Sequence, residues 1–170
     1  MVAETLTSTR GGAAFPVYRG MGAGNLCAAY GQYTIGAAVE DGDIFEMCRV
    51  PAGSRILGGM FYGADIDTGT EVLDMDLGWA ANGGAGTYDT ADPDGLGNLG
   101  VLTGDAFALG NISPVTGLMY PLSGVMAAGV LPFFTKETLL QIEANVASNA
   151  GHVGLISLVV FYIVEPENAV

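Results

Sequence analysis

Glu71-Val72-Leu73-Asp74-Met75-Asp76-Leu77-Gly78-Trp79 is a run in which large apolar residues alternate with acidic or small ones. Leu73, Met75, Leu77 and Trp79 hold every second position. Successive side chains of a β-strand point to opposite faces of the sheet, so this period of two is typical of a strand. We therefore predict a half-buried strand here, with one apolar face and one acidic face.

The sequence on both sides of this run contains further strands separated by turns. Ile44–Val50 precedes Pro51-Ala52-Gly53-Ser54, in which Pro presets φ and Gly accepts a positive φ. Arg55–Tyr62 is then expected to return as the partner strand of Ile44–Val50. Three more segments have strand patterns: Tyr30–Val39, the alternating Leu139–Val146, and the continuously apolar Val153–Val164, of which both faces are expected to be covered.

The strand count predicts the fold class. Residues 80–100 are small and acidic and are expected to form a long loop. About eight strands and no long helix predict an all-β, jelly-roll-like β-sandwich for residues 25–170, which is a suitable length for a single domain. Residues 1–24 are Gly-rich and lack a strand or helix period. They are interpreted as an extended N-terminal arm and hinge that order only against another surface.

The charge is distributed unevenly along the 170 residues. Eighteen acidic and five basic residues give a net charge of −13, and only 14% of the residues are charged. Residues 1–20 carry a net +1, whereas residues 21–170 carry three bases and seventeen acids. A body this acidic repels nucleic-acid phosphates and anionic membranes, so neither is expected as a partner. So few surface charges suggest that part of the surface is covered by another protein, although a compact β domain can also be this apolar alone.

Targeting signals and reactive groups are sparse in the sequence. The N-terminus does not resemble a signal peptide, and the longest apolar run, Val153–Val164, is too short to span a bilayer, which needs about 20 residues. Cys27 and Cys48 have no metal-ligand spacing and are interpreted as reduced thiols, with a single disulfide as the alternative. The one histidine, His152, follows a turn and is interpreted as inert. We predict no catalytic residue, no cofactor and no enzyme activity.

Two acidic clusters are the candidates for binding a cation. Asp65 and Asp67 lie in a segment that superficially resembles the start of a calcium loop, but its glycine is one position too early. Asp89, Asp92 and Asp94 place three carboxylates within six residues. Solvated turns are the preferred interpretation of both clusters, and a structural Ca²⁺ is the alternative.

A longer pattern resembles a known class of proteins. Val39–Ile56 contains a DGD turn, a strand and the sequence RVPAGSRI, and it is followed by DIDTGT at residues 65–70 and LDMDLG at residues 73–78. This order resembles capsid decoration (cement) proteins and related small head proteins of tailed bacteriophages. The resemblance covers roughly residues 39–80, with weaker similarity near residues 104–107 and in the terminal strand.

The resemblance implies a structural role in a virion. Such a protein has a jelly-roll-like fold, is made in the host cytoplasm and binds the major capsid protein on the outer surface of the head. It is expected to assemble as a homotrimer, with a dimer as the alternative. The candidate capsid-binding residues lie in the arm: Arg10, Phe15, Tyr18 and Arg19, which are the residue types that dominate protein interfaces. The alternatives are another phage component, such as a head fibre or a tail protein, or a carbohydrate-binding β-sandwich that stacks sugars on Trp79, Tyr88 and Tyr120.

Overall fold

A computed structural model describes residues 3–8, 11–12, 25–64, 66–67, 70, 72–101, 118–121 and 131–165, and for 99–101 and 118–121 it describes the backbone. These residues form ten strands and no helix. The strands are β1 (Thr5–Thr7), β2 (Leu26–Ile35), β3 (Ile44–Val50), β4 (Ser54–Gly63), β5 (Asp74–Trp79), β6 (Asp92–Val101), β7 (Leu118–Pro121), β8 (Phe133–Phe134), β9 (Thr138–Val146) and β10 (Gly154–Val164). Within this described part of the chain, no helix is long and apolar enough to cross a membrane.

Two sheets make up the domain. The first has the order β1-β3-β9-β5-β6, and the second has the order β2-β10-β4-β7, with β8 also paired to β4. All pairs are antiparallel except β1 with β3. The fold is therefore an all-β, jelly-roll-like sandwich, as the sequence predicts.

The core lies between the two sheets and follows the period of two in each strand. Met75, Leu77 and Trp79 of β5 belong to one buried cluster with Ile156 and Leu158 of β10. Each such side chain contributes roughly 1.5–3 kcal/mol by leaving water. The alternation predicted for residues 71–79 is confirmed, although the second face of β5 is less open than expected, because Asp76 is only 8% exposed.

The predicted pairing of Ile44–Val50 with Arg55–Tyr62 is wrong. β3 pairs with β1 and β9 in the first sheet, whereas β4 pairs with β10, β7 and β8 in the second. The reversal at residues 51–54 therefore carries the chain from one sheet to the other. Gly53 has a φ of 79°, and its N–H donates to the carbonyl of Phe134. The turn forms as predicted, but a short turn does not specify which sheet receives the next strand.

The long loop predicted for residues 80–100 is shorter than expected. Asp92–Val101 forms β6, an edge strand that pairs with β5. Close packing at glycines explains why so polar a segment is a strand. A Cβ on Gly78 would lie 1.9 Å from the carbonyl oxygen of Asp92, and a Cβ on Gly95 would lie 2.3 Å from the ring of Trp79. Small residues thus let β6 approach β5 and cover the tryptophan.

The first body strand and the terminal strand also differ from expectation. β2 begins and ends four residues before the predicted Tyr30–Val39. β10 is covered on one face only, because Leu155 is 45% exposed and Phe161 is 39% exposed. β10 lies in the interior of its sheet, and its outer face carries no charged residue. Its sequence is therefore apolar throughout although only one of its faces is buried.

Candidate functional site

The arm residues singled out for capsid binding, Arg10, Phe15, Tyr18 and Arg19, lie outside the described residues. The start of the arm is described, and the surface that orders it belongs to the same chain. Thr5–Thr7 pairs with β3, and the Ser8 hydroxyl, which is buried, donates to the carbonyl of Met47. Nε of Arg49 donates to the carbonyl of Gly11 at 3.2 Å. The arm is therefore anchored at the edge of the first sheet.

Asp67, one of the cation candidates, acts as a hydrogen-bond acceptor that joins two turns. Its carboxylate accepts the N–H groups of Val72 (2.8 Å), Leu73 (3.0 Å), Asn149 (2.9 Å) and Ala150 (3.0 Å). Burial acts to raise the pKa of Asp67, but these four bonds outweigh it and hold the pKa below its usual value. Asp65 lies outside the described residues.

Asp89 has the same role in the loop before β6. Its carboxylate accepts the side-chain amide of Asn82 (2.7 Å), the N–H of Gly86 (2.7 Å), and both the N–H (3.0 Å) and the hydroxyl of Thr135. Burial raises its pKa, yet the hydrogen bonds from Thr135, Asn82 and Gly86 together lower it below the usual value. Asp89 thus fastens the loop to the segment that follows β8.

Asp92 and Asp94 do not join Asp89 in a cluster. Burial, followed by the hydrogen bond and the charge of Asp94, raises the pKa of Asp92. Across the described ranges, no group of three or more His, Cys, Asp or Glu side chains is arranged to hold a metal ion. Asp67 and Asp89 serve as hydrogen-bond acceptors, whereas Asp92 and Asp94 lie in β6.

Trp79, the first aromatic residue considered for sugar stacking, is buried. Trp79 is 1% exposed, its Nε1 donates to the carbonyl of Thr90 at 2.8 Å, and its ring packs edge-on against Tyr88 and Phe134. The proposed stacking role of Trp79 is therefore wrong, because a sugar ring cannot reach it. The side chain of Tyr120 lies outside the described part of the chain.

The reactive residues are dispersed. Cys27 and Cys48 are buried and form no disulfide, which confirms their interpretation as reduced thiols. His152 is exposed, and its backbone N–H donates to the carbonyl of Ile66 at 3.1 Å.

The outer face of the first sheet is acidic. Asp76 of β5 lies opposite Glu143 of β9, and Asp74 follows on the same face. Burial, and then the charge of Asp76, raises the pKa of Asp74. The bases among the described residues are engaged elsewhere. Arg49 lies 3.5 Å from Glu137, Arg55 binds Glu165, and Nζ of Lys136 donates to the carbonyl of Gly83.

The outer face of the second sheet is apolar and uncharged over most of its length. The register aligns Tyr30 of β2, Val159 of β10 and Met60 of β4 in one row, and the next row joins Gln32, Ser157 and Tyr62. Five of the exposed large hydrophobic residues lie on this face, which we call the apolar face: Leu26, Tyr30, Tyr62, Leu155 and Phe161. Sequence reasoning missed it, although Leu26, Ala28 and Tyr30 already alternate with buried positions in β2.

A groove opens between the edges of the two sheets. It has a volume of about 550 Å³, its walls include Leu6 of β1, Tyr33 of β2 and Phe45 of β3, and its rim carries Glu4 and Glu40. The lining contains no basic side chain. The groove therefore combines an apolar floor with an acidic rim, which suits an apolar side chain that is flanked by Lys or Arg.

Comparison with known proteins identifies solved structures with a similar fold. No protein-family model matches the chain, and no curated protein matches its sequence. A chain in the structure described as the capsid of Ralstonia phage GP4 aligns over 96% of this chain and 99% of its own length, with 17% identity and a TM-score of 0.63. A chain in the structure of the cyanophage Pam1 capsid asymmetric unit aligns over 89% and 94%, with 18% identity and a TM-score of 0.60. The protein thus shares its whole fold with chains found in bacteriophage capsids.

Proposed function

We propose that this protein is a capsid decoration (cement) protein that binds the outer surface of a phage head and stabilises it by bridging capsomers. The observation that carries the proposal is the fold similarity, which extends over nearly the full length of both chains for two phage-capsid structures. A head protein of the same size and fold class is the simplest role for such a chain. Clamping requires buried surface between proteins and no catalytic step.

The charge of the described surfaces supports a basic partner. The outer face of the first sheet carries Asp74, Glu143 and the largely buried Asp76, and no described base pairs with them. The groove adds the acidic rim of Glu4 and Glu40. A major capsid protein that presents Lys or Arg would be steered to this side of the molecule. The slightly basic, aromatic arm, which starts at the same edge, would then extend along the shell.

Binding to undecorated heads tests the proposal. The purified protein is mixed with heads that lack decoration, and the bound fraction is measured by co-sedimentation at several salt concentrations. We expect saturable binding that weakens as salt rises, because charge steering is screened over about 10 Å at 0.1 M salt. An absence of binding at low salt would refute the decoration role. Binding to tails or fibres alone would favour another phage structural role.

The contribution of the arm is tested with substitutions. Deleting residues 1–20 also removes β1 and the buried Ser8, so loss of binding would have two explanations. Replacing Phe15, Tyr18 and Arg19 by alanine leaves β1 in place, and we expect it to weaken binding at least about 30-fold, as loss of interface anchors does. The matched control is Lys136→Ala, which removes a base from the body. Unchanged binding of the triple variant would indicate that the contact with the capsid lies on the β domain and not on the arm.

A further inference from the structure

We propose that the apolar face is the surface through which copies of this chain associate with one another. The face is formed by β2, β10 and β4, and its exposed residues are Leu26, Tyr30, Tyr62, Leu155 and Phe161. This inference does not rest on the decoration role, because it concerns the purified chain in the absence of a shell.

The strands of the apolar face lack acidic residues. The chain has eighteen acids, yet no Asp or Glu occupies an outward position of β2, β10 or β4 from Leu26 to Thr34, Leu155 to Ile163 and Arg55 to Tyr62. The one charged side chain at its end, Arg55, is bound in a two-pronged contact by Glu165. Solvent exposure does not explain this absence of acidic residues, because the outer face of the first sheet carries several of them.

The charge pattern of the two outer faces suits a second copy of the chain as the partner of the apolar face. Two copies that each carry −13 repel when their acidic faces meet, and like charges brought together cost several kcal/mol. The apolar face lets two copies touch without opposing carboxylates. A basic partner would instead gain most from the acidic face. A second copy is therefore the occupant that best explains why one sheet is acidic outside and the other is uncharged.

The size and the residue types of the apolar face also suit a protein interface. The strands have ten, eleven and ten residues, so at about 3.3 Å per residue and about 4.8 Å between strands the face measures roughly 33 Å by 14 Å. This flat footprint of roughly 460 Å² is more than half of the ~800 Å² per partner that a standard interface buries. Tyr30 and Tyr62 supply aromatic surface of the kind that is enriched at interfaces, and Gln32 already bonds Ser157.

The test is the mass of the purified full chain. Sedimentation velocity and light scattering over a concentration series are expected to show an oligomer for the natural sequence. Phe161→Lys, on the central strand, is expected to weaken association roughly 100-fold, because it places a buried charge at each copy's contact. The matched control is Val146→Lys, a substitution of a 43%-exposed valine on the first sheet, which is expected to leave the mass unchanged.

A second measurement uses no variant. Oxidative labelling of Tyr30 and Tyr62 in the natural protein should fall as concentration rises and oligomers form, while labelling of the exposed His152 should not. The proposal is overturned if the natural chain is monomeric up to roughly 100 µM, where a standard interface would be occupied. It is equally overturned if Val146→Lys dissociates the oligomer and Phe161→Lys does not, or if labelling of the two tyrosines is independent of concentration.

Discussion

Removal of the Asp89 carboxylate should loosen a whole corner of the domain. Asp89 is 2% exposed and accepts four hydrogen bonds from Asn82, Gly86 and Thr135. A hydrogen bond to a charged group contributes about 1.5–3 kcal/mol, and bonds to one acceptor are not additive. We therefore expect Asp89→Ala to lower the free energy of unfolding by about 4 kcal/mol. Asp89→Asn keeps one acceptor oxygen but places its NH₂ group against some of the donors that Asp89 accepts from. We expect it to lower the free energy of unfolding by about 2 kcal/mol.

Thermal and urea unfolding at neutral pH measure this effect. For a domain of this length, about 2–4 °C of melting temperature corresponds to each kcal/mol, so Asp89→Ala should lower the melting temperature by roughly 8–16 °C. Asp41→Asn is the matched control, because Asp41 is exposed in a turn, and it should stay within about 0.5 kcal/mol of the natural protein. A loss below about 1 kcal/mol for Asp89→Ala would refute the assigned role of the carboxylate.

The same carboxylate gives a pH dependence with a defined sign. Its pKa in the folded protein lies below the usual value, so the unfolded chain binds its proton at a higher pH. The stabilisation is fully present above the unfolded pKa of about 3.9 and is lost as pH falls through the folded pKa. The difference in stability between the natural protein and Asp89→Asn should therefore shrink on acidification. A difference that stays constant from neutral pH to pH 3 would contradict this reasoning.

Two further predictions concern packing and an ion pair. Gly31→Ala should destabilise the domain by about 1–3 kcal/mol in urea unfolding, because the new Cβ would lie 2.0 Å from the carbonyl oxygen of Met47, whereas Gly36→Ala has nothing within 4 Å and should be tolerated. Glu165→Gln should cost about 1 kcal/mol at neutral pH, since it breaks the two-pronged contact with Arg55. Hydrogen bonding by Arg55 lowers the pKa of Glu165, so this cost should vanish as pH falls through that folded pKa, and a cost that persists there would point to lost packing instead.

Much of the fold could be predicted because side-chain alternation is local. Ile44–Val50 and the cores of the strands at residues 74–79, 138–146 and 154–164 follow from patterns within a few residues. The sheet to which a strand belongs is not local. The reversal at residues 51–54 fits a hairpin or a crossing between sheets equally well, and the choice depends on β9 and β10, about ninety and one hundred residues later.

The roles of the acidic residues were harder to predict for a related reason. Clustered carboxylates attract either a cation or backbone N–H groups, and the sequence does not show which donors the fold brings close. Asp67 receives two of its four donors from Asn149 and Ala150, more than eighty residues away. The apolar face was missed because a strand apolar on both faces suggests full burial, when in this protein one face remains uncovered.

The position of β10 between β2 and β4 also determines when the domain can fold. Leu26–Ile35 pairs with residues 154–163, so the second sheet cannot close until residues 154–164 have been made. Pairing between such distant segments is slow, typically taking milliseconds to seconds in all-β domains. Translation proceeds at about 5–20 residues per second, so β2 remains unpaired for several seconds before β10 has been made. A chain that stops before β10 would leave β2 without a partner and β4 with only the shorter strands β7 and β8, and we expect such chains to aggregate and not to form a stable smaller domain.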